Sequence, residues 1–240
     1  MKRIALFSDG SGNSSAKAEK TNVWRMFQAL DQTTPGQIAR YDDGVGTSSN
    51  KILAAIGGVF GYGLKRNLLD LYKFVCRTHV AGDEIYAFGF SRGAFTVRML
   101  VGLITTQGLV SGRSESELHA NAVMAYRRYR GERFPSNSPF VLIARGLRDL
   151  ILWPSTQAAT KRHELSRSAP RIPIKFLGLW DTVGAYGMPI DELKWGISLL
   201  IWPMGAVDNF LIPNVERLRS NLATDSVRRL GARRHLVANA

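Results

Sequence analysis

Three short apolar runs, each closed by a polar residue, constrain this chain more than any other feature. Arg3–Ser8, Glu84–Phe90 and Ile174–Trp180 are too short for buried helices and lack the strict alternation of half-buried strands. That pattern fits strands covered on both faces. They run into Ser8-Asp9-Gly10, Ser91 and Asp181 respectively. Helical patterns lie between them. From Thr21 or Asn22, either of which suits an N-cap, the chain repeats through Val23, Met26, Phe27 and Leu30 on one face. Leu64–Val80 repeats through Leu68, Leu71, Tyr72 and Val75, and Ala94–Ile104 follows the second strand directly. Alternation of this kind predicts an α/β fold: a doubly wound, mostly parallel sheet whose sites lie beyond the carboxyl ends of its strands. The segment 111–170 is rich in Arg, Ser and Pro and holds a helix over Ser116–Tyr129 but no convincing strand. It reads as a helical, cap-like insertion in a single domain covering 1–240.

The 240 residues, 45% of them hydrophobic, suffice for a core that needs no disulfide. The one cysteine, Cys76, sits in an apolar helical stretch and reads as a buried structural thiol, consistent with a reducing compartment. Ile4-Ala5-Leu6-Phe7 is too short for a signal-peptide core. The longest apolar stretches, around Ile52–Leu64 and Gly196–Val207, fall short of the roughly 18–20 residues that span a bilayer. The expectation is a cytoplasmic protein, soluble or peripheral, with export by a non-classical route as the alternative. A net charge of +13 favours anionic partners. Basic residues concentrate at Arg127–Arg133, Lys161–Arg171 and Arg217–Arg234 without a nucleic-acid motif. A solvated basic surface or peripheral contact with an anionic membrane is expected, and nucleic acid is not.

Gly89-Phe90-Ser91-Arg92-Gly93 matches G-x-S-x-G, and its setting between strand and helix gives the spacing a mechanical meaning. A strand that turns sharply into a helix strains the serine, and both flanking positions must then lack side chains. Ser91 is the candidate nucleophile, expected on a tight turn with its hydroxyl toward solvent. The Arg92 amide, at the start of the helix, is one candidate oxyanion donor, and Gly10, in the small-residue loop after the first strand, is the other. A serine needs a base, and the base an orienting carboxylate, in the chain order Ser, Asp or Glu, His. Asp181 closes the third strand and is the candidate acid. Of the four histidines, His79, His119 and His163 precede it, so His235 is the candidate base by order. No apolar strand is evident ahead of His235. Tyr41–Thr47 reads as a second polar, glycine-rich loop. A metal-dependent alternative would draw on Asp9, Asp42, Asp43 and Asp181, but the first strand carries no D-x-D pair and no histidine cluster accompanies them. No cofactor or metal is expected.

Taken in order, several segments resemble the DUF2235 family, the α/β-hydrolase domain of the Tle1-type phospholipase effectors of bacterial type VI secretion. They are Phe7–Asn13, Thr21-Asn22-Val23, Tyr41–Thr47, Gly82–Ala94, Gly108-Leu109 and Phe176–Gly184. The resemblance implies a Ser-Asp-His phospholipase or esterase acting on a phospholipid or another small ester. In the family a segment reading roughly His-Ala-Leu-Ala-x-Asp-Glu-x-Arg carries the catalytic histidine. Here the corresponding stretch is Ser220–Arg228, with Ser220 at the histidine position and Ser226 at the acidic one. A truncated or altered C-terminal end and a catalytically impaired protein that binds lipid or a partner are the expectations this departure raises.

Overall fold

In the computed structural model, residues 1–10, 20–44, 58–133, 172–180, 215–216 and 218–222 are described. All three apolar runs are strands with the expected bounds: β1 (Arg3–Ser8), β3 (Glu84–Phe90) and β4 (Ile174–Trp180). Two more flank them, β2 (Gln37–Asp42) and β5 (Leu218–Leu222). The five form one parallel sheet in the order β2-β1-β3-β4-β5. Two sequence readings are corrected here. Tyr41 and Asp42 close β2 and do not belong to a loop, and a strand does precede His235. Among the described strands β2 and β5 stand at the two edges of the sheet. No residue of β2 is fully buried.

Four helices connect the described strands: α1 (Asn22–Ala29), α2 (Gly58–Thr78), α3 (Arg92–Gln107) and α4 (Glu115–Arg133). The pleat of β1 assigns them to two faces. Ile4 and Leu6 join Ile85 and Ala87 in the larger core, packed against α2, α3 and α4. Ala5 and Phe7 face the other way, into a smaller core with Val23 of α1 and Trp180. Helices on both faces of a parallel sheet make it doubly wound, as expected. The chain leaves β1 toward β2 on one side and later leaves β3 toward β4 on the other. The carboxyl ends of β1 and β3 therefore flank the topological switch point, where such sheets place their sites.

Leu68, Leu71, Tyr72 and Val75 of α2 are at most 1% exposed, as their spacing predicts. Tyr72 also donates its hydroxyl to the Gly108 carbonyl at 2.7 Å, where a positive φ of 71° ends α3. Met26 departs from expectation: it is 37% exposed. The contact face of α1 is narrower than the four-residue stripe and is carried by Val23, Phe27 and Leu30. α4 lies in the segment expected as an insertion. It buries Leu118, Ala122, Ala125, Tyr126 and Tyr129 in the main core, while residues 134–171 lie outside the described ones. Among the described residues no helix is long and apolar enough to cross a membrane.

At the amino edge of the sheet, Asp83 pins the start of β1. Its carboxylate accepts the Lys2 amide at 2.7 Å and the Val80 amide at 2.9 Å, and pairs with Lys2 Nζ at 3.2 Å. Desolvation works against the charge, but these partners outweigh it and hold the pKa at about 2. A depressed carboxylate pKa gives stability that is present above the ordinary range near 4 and lost as pH falls toward 2. Asp83→Asn should therefore lower the thermal midpoint at pH 7, and its gap from the parent should close between about pH 4 and 2. Midpoints measured across that range check it; a gap independent of pH would contradict it.

Candidate active site

Ser91 occupies the single residue between β3, at the centre of the sheet, and α3. Its backbone has φ 54° and ψ −119°. Among the described residues it is the only non-glycine with positive φ, a conformation that costs of order 1–3 kcal/mol. The two glycines of the motif show why it is held there. A Cβ on Gly89 would stand 2.6 Å from the Ala94 Cα, and one on Gly93 would stand 2.1 Å from the Ser8 carbonyl oxygen and 2.6 Å from that of Asp9. The turn is thus clamped between its own helix and the exit of β1. Ser91 is half-buried, and its hydroxyl makes no capping bond to α3.

Behind the serine stands the amino end of a 16-residue helix with no acidic residue in its first turn. Its positive end and first amides are uncompensated from within the helix and suit a developing anion. Arg92 begins this helix, and burial pulls the pKa of its half-buried guanidinium down. On the far side, the Ser91 amide donates to the Trp180 carbonyl at 2.9 Å, extending the β3–β4 pairing one step beyond Phe90 and Trp180. Trp180 is the residue immediately before Asp181. Asp181 itself and His235 lie outside the described residues, as does His163.

Of the other predicted residues, Gly10 follows β1 and donates its amide to Asp9 Oδ1 at 2.7 Å. Asp9 Oδ2 accepts the Thr21 hydroxyl at 2.5 Å and the Tyr41 hydroxyl at 2.7 Å. Burial and the neighbouring Asp9 carboxylate push the Tyr41 pKa well above the ordinary phenol value. Asp42 Oδ2 accepts the Ser8 hydroxyl at 2.8 Å and Asn67 Nδ2 at 3.1 Å. Burial raises the Asp42 pKa, and these two bonds hold it back in part. Among the described residues no group of three or more His, Cys, Asp or Glu side chains is placed to hold a metal ion.

Neither described histidine reaches this edge. His79 precedes β3 at its amino end, so the seven residues of the strand, at about 3.3 Å each, separate it from Ser91. His119 is exposed in α4, one turn from Glu115, which pairs with Arg77 in the last turn of α2. Ser220 lies within β5, whose Leu222 is level with Trp180. The chain thus leaves β5 at the carboxyl edge. Sequence reasoning missed the linkage of Asp9 to Thr21 and Tyr41, because nothing in a linear pattern couples residues so far apart. Only Thr21 had a signal, as an N-cap, and it does accept the Trp24 amide at 3.1 Å.

A parallel sheet wound on both faces, with a strained serine on the strand–helix turn at its switch point, defines a protein of the α/β-hydrolase-like class. The chain belongs to the family of type VI secretion phospholipase effector Tle1-like catalytic domains, whose sequence pattern matches residues 2–235. It is also similar to the uncharacterized protein YEL023C of Saccharomyces cerevisiae, at 27% identity over 206 residues. That match takes in 80% of this chain and 28% of the yeast protein, so the chain spans little more than a quarter of its relative's length. No solved structure matches the chain.

The clamp around the turn predicts opposite outcomes at two glycines. Gly93→Ala should destabilise the protein by at least about 2 kcal/mol, because backbone atoms and not side-chain ends fill the space. Gly131→Ala in α4, where nothing lies within 4 Å, should be neutral or stabilising by up to about 1 kcal/mol through helix propensity. Urea unfolding of the two variants checks both signs.

Proposed function

We propose that this chain is a serine ester hydrolase of the phospholipase type, with Ser91 as nucleophile, Asp181 as the orienting acid and the Arg92 amide in the oxyanion site. The observation that carries the reading is the Ser91 backbone at φ 54°: a strained serine, held by close-packed glycines against the amino end of a buried helix. Ser91 Oγ would attack the ester carbonyl, its proton passing to the base and then to the leaving alcohol. Gly10 is the second oxyanion donor in this scheme, and its amide must then turn from Asp9 Oδ1 toward the substrate. The substrate is a phospholipid or another small carboxylic ester, and the net charge of +13 supports peripheral contact with an anionic membrane.

The base is His235, the histidine that follows Asp181 in chain order. β5 supports this role, because it delivers the following chain to the carboxyl edge. A second reading rests on Ser220, which takes the family's histidine position: a hydrolase fold that retains its binding surface but little turnover. A triad without its base loses on the order of 10⁴- to 10⁶-fold in turnover, and a hydroxyl is a poor base near neutral pH. On this second reading hydrolysis of a p-nitrophenyl ester and of a phospholipid should be very slow or absent, whereas with His235 as base it should be readily measured. The assay compares the parent with Ser91→Ala and His235→Ala. Turnover lost in both variants establishes His235 as the base. Turnover lost in Ser91→Ala alone assigns the proton to another group, and turnover unchanged in Ser91→Ala overturns the serine-hydrolase reading.

A further inference from the structure

Asp9 lies one residue beyond β1 and is 1% exposed. Removing a carboxylate from water costs several kcal/mol unless its oxygens are well satisfied. A turn-forming aspartate usually bonds within two or three residues of itself, but two of this one's donors are distant. Thr21 is 12 positions away and caps α1, and Tyr41 is 32 away near the end of β2. The Gly10 amide, from the next residue, also donates to the carboxylate. One carboxylate thus ties together the exits of β1 and β2 and the start of α1. The Asp9 main chain is held as closely. Its amide donates to the Asp42 carbonyl at 3.0 Å. Its carbonyl oxygen would lie 2.6 Å from a Cβ on Gly93 and 2.5 Å from one on Gly44.

We propose that Asp9 is a positioning residue for the turn that carries Ser91. Its carboxylate fixes the exit of β1, and the carbonyls of Ser8 and Asp9 form the wall against which Gly93, and through it Ser91, is set. Asp9 acts through the backbone and touches no substrate. The inference takes its chemical meaning from the reading of Ser91 as nucleophile, but its physical content does not require turnover. Asparagine cannot take over the role. With its oxygen toward Thr21 and Tyr41, its NH₂ faces the Gly10 amide, donor against donor. Flipped, it confronts two hydroxyls that must then find other acceptors.

Amide exchange on the full chain, read peptide by peptide, tests this. In Asp9→Asn the peptide Phe90–Val97 should exchange at least tenfold faster, while peptides of α2 keep the parent's protection. Asp31→Asn, which removes a carboxylate bonded only to its neighbours Thr33 and Thr34, should leave both regions unchanged. Labelling of Ser91 by a fluorophosphonate should slow at least tenfold in Asp9→Asn. If that variant does not fold, Tyr41→Phe removes a single donor and should give a smaller acceleration confined to the same peptide. Exchange at Phe90–Val97 that stays at the parent's rate, or that rises equally in α2, overturns the proposal. A parent that never labels, alongside local acceleration in Asp9→Asn, overturns the hydrolase reading and leaves this one standing. A parent that labels, with exchange and labelling unaltered in Asp9→Asn, does the reverse.

Discussion

The contact between the exit of β1 and the first turn of α3 is the constraint on which the candidate site depends. Parallel pairing places Ser8 level with Gly89, so β1 ends two residues below the serine on the neighbouring strand. The Ser8 and Asp9 carbonyls then occupy the space that any side chain at position 93 would need. With Gly89 closed off by Ala94 on the other side, the backbone can pass from strand to helix only by a tight turn at Ser91. The strain is local, of order 1–3 kcal/mol. It is offset by α3, which is buried along most of its length, from Gly93 to Ile104 with the exception of Arg98. A helix so deeply packed cannot unwind at its start to relax one residue without exposing core.

The same edge carries an electrostatic arrangement that a sheet of this kind makes natural. The positive end of α3 points toward the switch point, and two carboxylates, buried Asp9 just beyond β1 and half-buried Asp42 at the end of β2, stand beside it. Their oxygens are taken up by hydroxyls and amides from separate elements. They therefore lock the loops to one another while Ser91 stays half-exposed. Cys76 shows the contrast between a chemically capable residue and a reactive one. It packs against the main core from α2, and burial pushes its thiol up to about 12, which leaves negligible thiolate near neutral pH.

How much was legible in the sequence follows from burial. β1 and β4 are largely buried and β3 is buried at every second residue, and all three wrote themselves as apolar runs with correct ends. β2 and β5 sit at the edges of the sheet among the described strands, and Gln37-Ile38-Ala39-Arg40-Tyr41-Asp42 and Leu218-Arg219-Ser220-Asn221-Leu222 have too little apolar content to announce a strand. β5 mattered most, since it shows the chain leaving the sheet at the carboxyl edge that holds Ser91. Ser91 and its two glycines were legible because the motif is local and its cause is steric. The network centred on Asp9 was not, because its partners lie 12 and 32 residues away and only the folded sheet brings them together.

The nucleophilicity we propose for Ser91 comes from the fold and not from the serine alone. The most direct measurement exposes the folded chain, and the same chain in urea, to a fluorophosphonate and maps the adduct by mass spectrometry. One adduct is expected, on Ser91, formed in the folded protein and absent in the unfolded one. No adduct on Ser91 in the folded chain, or equal modification of serines throughout the sequence in both states, would contradict it.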